Sequence, residues 1–304
     1  MPTATEYFGF SAHNLGPLTT TFTAPSACAT ATDHHVYVNK SSVPYMLGIP
    51  TCGIKDFGSC MPSGKSFDSL RKQTTSLNQG QYYYYSPGVV CPSSWSAVGA
   101  LTKQGSDSVS ASGVFTRPLF DDEDRITGAM QLQPEDFWSE VLDTSETLVY
   151  CCPSDYDVNA FGHCLSTLGP RSSYSYSSMC LTAGNASITE VTSLDGTSLT
   201  RPLLSFDPIG PATSTYLQER LLTRTGYSTD LVVGTWVPAV PLVHKKSDLD
   251  KTDDDDKDDG DDDSDDKDNE TTDENSAYTA TPRPGVVSML GLTLGILLGM
   301  GTLL

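Results

Sequence analysis

Residues with chemical capacity are scattered along this chain, and few of them stand at the spacings that chemistry requires. Gly64-Lys65-Ser66 matches the end of a phosphate-cradling loop, but the earlier glycine such a loop needs would fall at Ser59. The segment also lies between cysteines, so nucleotide binding is not expected. No Gly-x-Ser-x-Gly nucleophile elbow is present. Five histidines occur, His13, His34, His35, His163 and His244, with one adjacent pair. Adjacent side chains on a strand diverge and chelate poorly, so these read as surface or structural histidines. Asp121-Asp122-Glu123-Asp124 and Glu135-Asp136 offer carboxylates for a glycosidase pair, which would have to stand about 5–5.5 Å or about 6.5–9.5 Å apart. Such clusters more often line solvated loops. Tyr82 to Tyr85, Trp95 and Tyr156 present ring faces that could stack on sugars, yet runs of this kind usually serve the core or a strand face. No catalytic residue, cofactor site or metal site is assigned.

The cysteines are more informative. There are eight, Cys28, Cys52, Cys60, Cys91, Cys151, Cys152, Cys164 and Cys180, all within the first 180 residues. An even number in that region suits a disulfide framework, although eight cysteines allow 105 pairings and the sequence selects none. Cys151 and Cys152 should take separate partners, because neighbours on an extended strand point to opposite faces. A zinc site is disfavoured: there is no pair of Cys-x-x-Cys knuckles and no His-x-x-x-His. Three glycosylation acceptors, at Asn39, Asn185 and Asn269, agree with export.

The elements that would position these residues are short. Val36-Tyr37-Val38, Tyr82 to Tyr85, Leu148-Val149-Tyr150 and Leu231-Val232-Val233 are β-branched or aromatic and bounded by turn residues, so they read as strands. One helix is expected from Pro134-Glu135-Asp136 toward Leu142, with proline and acids in the first turn, and another over Tyr216 to Leu222. The expected fold is mainly β, an irregular disulfide-stapled ectodomain with few short helices over residues 1–244. A disordered acidic stalk follows over 245–285, then a C-terminal hydrophobic helix over 286–304.

Internal repetition is weak. Cys91-Pro92-Ser93-Ser94-Trp95 and Cys152-Pro153-Ser154-Asp155-Tyr156 share Cys-Pro-Ser-x-aromatic, and Cys60-Met61-Pro62-Ser63 is a looser copy. Thr116-Arg117-Pro118-Leu119-Phe120 recurs as Thr200-Arg201-Pro202-Leu203-Leu204. Each Cys-Pro-Ser unit reads as a strand ending at a stapled cysteine, then a proline turn displaying an aromatic. The copies have no fixed period, so this is not a solenoid.

Leu15-Gly16-Pro17-Leu18-Thr19-Thr20-Thr21-Phe22, then Cys28, Tyr85-Ser86-Pro87-Gly88, Cys91-Pro92-Ser93 and the Cys151-Cys152-Pro153-Ser154-x-Tyr156 box resemble a group of uncharacterised fungal surface proteins. Those carry a Ser/Thr-rich ectodomain and one C-terminal hydrophobic segment. The likeness covers scattered blocks over residues 15–165. The chain departs from it with Ser94-Trp95 and Asp155, where glycine and tyrosine are more usual, and with its aspartate stalk. The resemblance implies an exposed, glycosylated role at the cell surface. It carries no reaction, so no catalytic residue is transferred.

Charge divides the chain sharply. Residues 247–274 hold 17 of the 38 acidic residues and 3 of the 18 Lys+Arg, a net −14 of the total −20. Such a run cannot bury enough apolar surface to fold and extends by self-repulsion, so it reads as a spacer. Weak divalent-cation association with it is conceivable, but a regular calcium loop with central glycine and closing glutamate is absent. Nucleic acid is not expected as a partner.

Beyond the stalk, Asn275-Ser276-Ala277 is a small-residue triplet, followed by the spacer Tyr278 to Gly285 and the uncharged stretch Val286 to Leu304. That is the layout of a glycolipid attachment signal, with Asn275 as the attachment residue. A retained span is the alternative, since nineteen helical residues reach about 28 Å against a hydrocarbon core of about 30 Å. A tail anchor facing the cytosol, with reduced thiols, is the third reading, because the residues after Met1 form no basic, apolar signal peptide. The expectation is a non-enzymatic, glycosylated protein at the extracellular face of the plasma membrane, with membrane and wall polysaccharide as partners. A wall-tethered hydrolase or carbohydrate-active protein is the runner-up.

Overall fold

The structure is a computed structural model that describes residues 1–30, 34–39, 45–53, 55–73, 79–105, 108–117, 131–183, 186–194, 196–208, 214–219, 222 and 231–250. In chain order its strands are β1 Glu6–Tyr7, β2 Phe10–Asn14, β3 His35–Asn39, β4 Tyr45–Gly48, β5 Gly80–Tyr84, β6 Trp95–Lys103, β7 Val109–Gly113 and β8 Glu146–Pro153. There follow β9 Asp157–Val158, β10 His163–Pro170, β11 Met179–Ala183, β12 Ala186–Leu194, β13 Thr197–Pro208, β14 Ser214–Gln218, β15 Leu231–Pro238 and β16 Val240–Lys245. Three α-helices occur among the described residues: α1 Gly64–Gln73, α2 Pro134–Val141 and α3 Lys246–Asp250. The chain is mainly β and stapled by disulfides.

A central antiparallel sheet runs β16-β8-β6-β7, and a second runs β4-β3-β15-β10-β9. A small third sheet, β1-β2-β5, joins the central one: the Tyr85 N–H donates to the Pro241 carbonyl at 2.9 Å, and the Val243 N–H to the Tyr85 carbonyl at 2.8 Å. The middle strands β3, β8 and β15 are buried on both faces, which explains why they read as unbroken apolar runs. On β8, Leu148, Tyr150 and Cys152 enter one core while Cys151 enters the next. The four tyrosines divide likewise, Tyr82 and Tyr84 into the first core and Tyr85 into the second, with Tyr83 packed against the second. On β3, Val36 and Val38 face the second core, and Tyr37 turns to a third with Leu231 and Val233 of β15. Three apolar layers therefore alternate with two sheets.

The helix expected at Pro134 forms as α2 and closes the first core. Proline occupies its opening position with Glu135 and Asp136 in the first turn, where a helix tolerates a missing N–H and favours negative charge. Phe137, Trp138 and Val141 point inward with almost no exposed surface.

Two expectations are corrected. Tyr216 lies in β14 and pairs with Leu181 of β11, so the helix expected to start at Tyr216 is strand through Gln218. The cross-strand ladder outweighs a weak local helical pattern. In addition, α1 forms where no helix was expected. The buried Asp68 carboxylate accepts the Phe57 N–H at 3.1 Å and the Gly58 N–H at 2.8 Å, tying the helix to the turn before it. The Arg71 guanidinium lies 5.3 Å from the Phe57 ring centroid and 5.6 Å from that of Phe67. At the far end, β16 includes Lys245 and α3 follows to Asp250. The rest of the stalk and the C-terminal segment lie outside the described residues.

All eight cysteines are paired, as Cys28–Cys60, Cys52–Cys180, Cys91–Cys151 and Cys152–Cys164. Cys151 and Cys152 do take separate partners, on opposite sides of β8.

Candidate functional site

The two Cys-Pro-Ser-x-aromatic boxes meet in space. In each, the aromatic N–H closes a turn onto the proline carbonyl, Trp95 to Pro92 at 3.0 Å and Tyr156 to Pro153 at 3.2 Å. In each, the residue before the aromatic adopts a left-handed backbone, Ser94 at φ 65° and Asp155 at φ 71°. Serine and aspartate tolerate that conformation as turn residues, at a modest cost. The turns are sewn together, since both the backbone N–H and the Oγ of Ser154 donate to the Ser94 carbonyl, at 3.0 and 3.1 Å. The Cys91–Cys151 and Cys152–Cys164 bridges fix their bases.

This arrangement does not build a sugar platform from the two aromatics. Trp95 sits opposite Pro153 and packs at the rim of the second core, whereas Tyr156 packs at the rim of the first. They flank the end of the central sheet on opposite faces. The twin turns act as a clamp holding β6 to β8, with Ser93, Ser94, Ser154 and Asp155 exposed along their crest.

The other sequence candidates separate as follows. Tyr82, Tyr84 and Tyr85 are buried, and burial pushes their phenols above the usual range. Tyr83 is half-buried between His13, stacked at 5.5 Å, and Phe67, edge-on at 4.8 Å. His13 Nε2 lies 3.1 Å from Ser11 Oγ. His34 stacks on Phe57 at 4.2 Å, while His35 reaches Tyr176 Oη with Nδ1 at 2.7 Å, so the adjacent histidines diverge. Glu135 and Asp136 both have carboxyls raised above the usual range, chiefly by desolvation, in the first turn of α2. Asp121 to Asp124 lie outside the described residues.

Gly64-Lys65-Ser66 opens α1, but the glycine serves close packing. A Cβ there would stand 1.7 Å from the Gly58 carbonyl oxygen. Among the described residues no group of three or more His, Cys, Asp or Glu could hold a metal ion. Asn39 ends β3, half-buried, opposite Leu231. Asn185, Asn269 and Asn275 lie outside the described residues.

His163 and His244 are structural. His244 Nδ1 lies 2.9 Å from the Gly88 carbonyl, so that nitrogen carries the proton. His163 stands edge-on to Trp236 at 5.6 Å, and burial depresses its imidazole to about 4. The unfolded chain takes up that proton near the ordinary value of about 6.5, and the folded chain only near 4. Stability should therefore be fully present above pH ~6.5 and fall through pH 6.5 to 4, by up to about 3 kcal/mol. Replacing His163 with Gln should flatten this acid limb in melts across pH 4 to 7. An unchanged limb would place the acid sensitivity elsewhere.

One grouping escaped the sequence reading. Tyr174 and Tyr176 lie with parallel rings, 2° between planes and 6.0 Å between centroids. The available signal was the alternation Tyr174-Ser175-Tyr176-Ser177, which places both rings on one face of an extended segment. His35 meets both edge-on, at 5.7 and 5.8 Å. Beside them Tyr37 is fully buried, its hydroxyl donating to the Ser178 carbonyl at 2.9 Å. Burial pushes the Tyr37 phenol up to about 12, against the opposing pull of the Arg171 charge.

No protein-family model, no curated protein and no solved structure matches this chain.

Proposed function

We propose that the chain is a non-enzymatic, glycosylated protein of the cell surface or cell wall. In this reading a disulfide-stapled β head is carried on an acidic stalk and held at the membrane through the apolar segment 286–304. The observation that carries it is the complete pairing of the eight cysteines into four bridges. Such frameworks persist in oxidising compartments and are reduced in the cytosol. The sequons at Asn39, Asn185 and Asn269 and the small-residue triplet at Asn275 agree with the same route.

The test is made on intact cells. A membrane-impermeant biotin reagent should label the chain without permeabilisation, and endoglycosidase should lower its apparent mass. A phospholipase specific for glycolipid anchors should release the head. A recovered mature peptide containing Val286 to Leu304 would replace the lipid by a membrane span. Labelling only after permeabilisation, with eight reactive thiols in the denatured, unreduced chain, would overturn the proposal.

A further inference from the structure

The central sheet ends at β7, Val109-Ser110-Ala111-Ser112-Gly113, and among the described residues this strand pairs only with β6. All five of its residues are exposed, the apolar Val109 included. The hydrogen-bond phase of the hairpin fixes which backbone groups lie on the outer edge. At its closed end the Gln104 N–H donates to the Ser108 carbonyl at 2.9 Å, so Gln104 and Ser108 form a hydrogen-bonded pair. Such pairs alternate along an antiparallel ladder. Thr102 with Ser110 and Ala100 with Ser112 are therefore bonded across the two strands, whereas Lys103 with Val109 and Leu101 with Ala111 point away from each other. The Lys103 carbonyl agrees, since it turns to the β8 side and accepts the Ser145 N–H at 2.8 Å. The N–H and C=O groups of Val109 and Ala111 thus face outward at the edge of the sheet.

Edges of this kind template pairing with another strand, and folds ordinarily blunt them with lysine, proline, a bulge or a covering segment. β7 holds no charged residue and no proline, and its register with β6 is unshifted. The opposite edge, β16, is covered at Tyr85 through the bonds to Pro241 and Val243. We propose that β7 pairs antiparallel with β7 of a second copy of this chain, about a twofold axis at Ser110, so that two four-stranded sheets join into one of eight strands. In that register Val109 of each copy faces Ala111 of the other, and their outward groups complete four hydrogen bonds. Ser110 meets its own copy in the closer, non-bonded pair, where small side chains fit and no like charges meet. A register centred on Ala111 is poorer, because it needs Gly113 to pair with Val109. The Gly113 carbonyl already accepts the Thr116 Oγ1–H at 2.8 Å, and its φ of 60° leaves the extended region. The uncharged strand offers a foreign peptide no ion pair, whereas its own copy matches it in length, charge and register. Five residues a side bury little area, so the dimer is weak and reversible.

The experiment measures the mass of the purified full chain in detergent by sedimentation equilibrium across a concentration series. Salt at about 0.15 M screens repulsion between the acidic segments. The protein mass should double as concentration rises. Ala111→Pro removes an outward N–H and leaves the bonds to β6 intact, so it should weaken the dimer at least about tenfold with the melting temperature held. Ser110→Lys sets two like charges face to face and should also weaken it. With an added copper oxidant, Ser110→Cys should form a covalent dimer, because the paired Cα atoms stand about 4.5 Å apart. Ser112→Cys should not, since this register leaves the two copies of residue 112 four positions apart along the strands, about 13 Å. Mapping of the four native bridges on the same samples shows that each variant is folded. A chain that stays monomeric throughout, or a dimer that both folded edge variants keep, would overturn the proposal. Crosslinking at 112 as fast as at 110 would refute the register and the proposal with it.

Discussion

Removing the Cys152–Cys164 bridge by paired alanine substitution is expected to cost about 2–5 kcal/mol and lower the melting temperature by roughly 4–20 °C. The size follows from where the sulfurs lie. Both cysteines have no exposed surface and belong to the first core, beside Tyr150, Trp138 and Phe137. Their loss combines the release of unfolded-state entropy with a cavity in packed surroundings. The four bridges permit a direct test of which effect dominates. Loop entropy alone ranks them by sequence separation, with Cys52–Cys180 at 128 first and Cys152–Cys164 at 12 last. Burial ranks them the other way, because Cys52 is exposed and Cys180, at 8% exposure, is less deeply buried than Cys152 and Cys164, which have none. Melting temperatures of the four paired variants decide it. We expect the Cys152–Cys164 pair to fall furthest, and a larger fall for Cys52–Cys180 would assign the stabilisation to loop closure.

Trp138→Ala should be the most damaging single substitution outside the cysteines. The indole is fully buried and meets Phe137, Tyr82 and Tyr84 with centroids 5.3, 5.4 and 5.9 Å away. Truncating a buried tryptophan costs about 3–5 kcal/mol. The indole N–H also donates to the Tyr150 hydroxyl at 2.9 Å, and Tyr150 is itself buried. Leaving that hydroxyl without its donor adds about 1–3 kcal/mol. Since a domain is stable by only about 5–15 kcal/mol, the variant should be largely unfolded at physiological temperature. Trp138→Phe keeps most of the apolar volume and should lose much less. Denaturant unfolding of both variants checks this: equal midpoints for Ala and Phe would mean the core closes over the gap, contrary to the packing described.

How much of this was legible beforehand depends on how local the cause is. The four strand segments and α2 were readable because their signals lie within a few residues: β-branched or aromatic runs between turns, and proline with acids at a helix start. The divergence of Cys151 and Cys152 was equally local, since extended backbone alternates its faces. The candidate site was read poorly. Trp95 and Tyr156 were read as aromatics displayed after proline turns, but their separation onto opposite faces depends on β8 lying between two cores. Tyr174 and Tyr176 passed unnoticed because their grouping depends on His35, about 140 residues earlier in the chain, arriving beside them.

The sequence by itself determined the β-rich character, the alternation along each strand, the helix at Pro134 and the concentration of charge beyond residue 246. Each is a consequence of backbone geometry and composition acting over one short segment. Tertiary structure alone decided which of 105 cysteine pairings forms, because a bridge needs two Cα atoms within about 7 Å and only the assembled sheets bring them there. It also turned Tyr216 into strand by offering β11 as a hydrogen-bonding partner, and made a helix of Gly64–Gln73 by giving Asp68 two backbone N–H groups to accept. Where competing local propensities differ by less than about 1 kcal/mol, contacts made at long range choose between them.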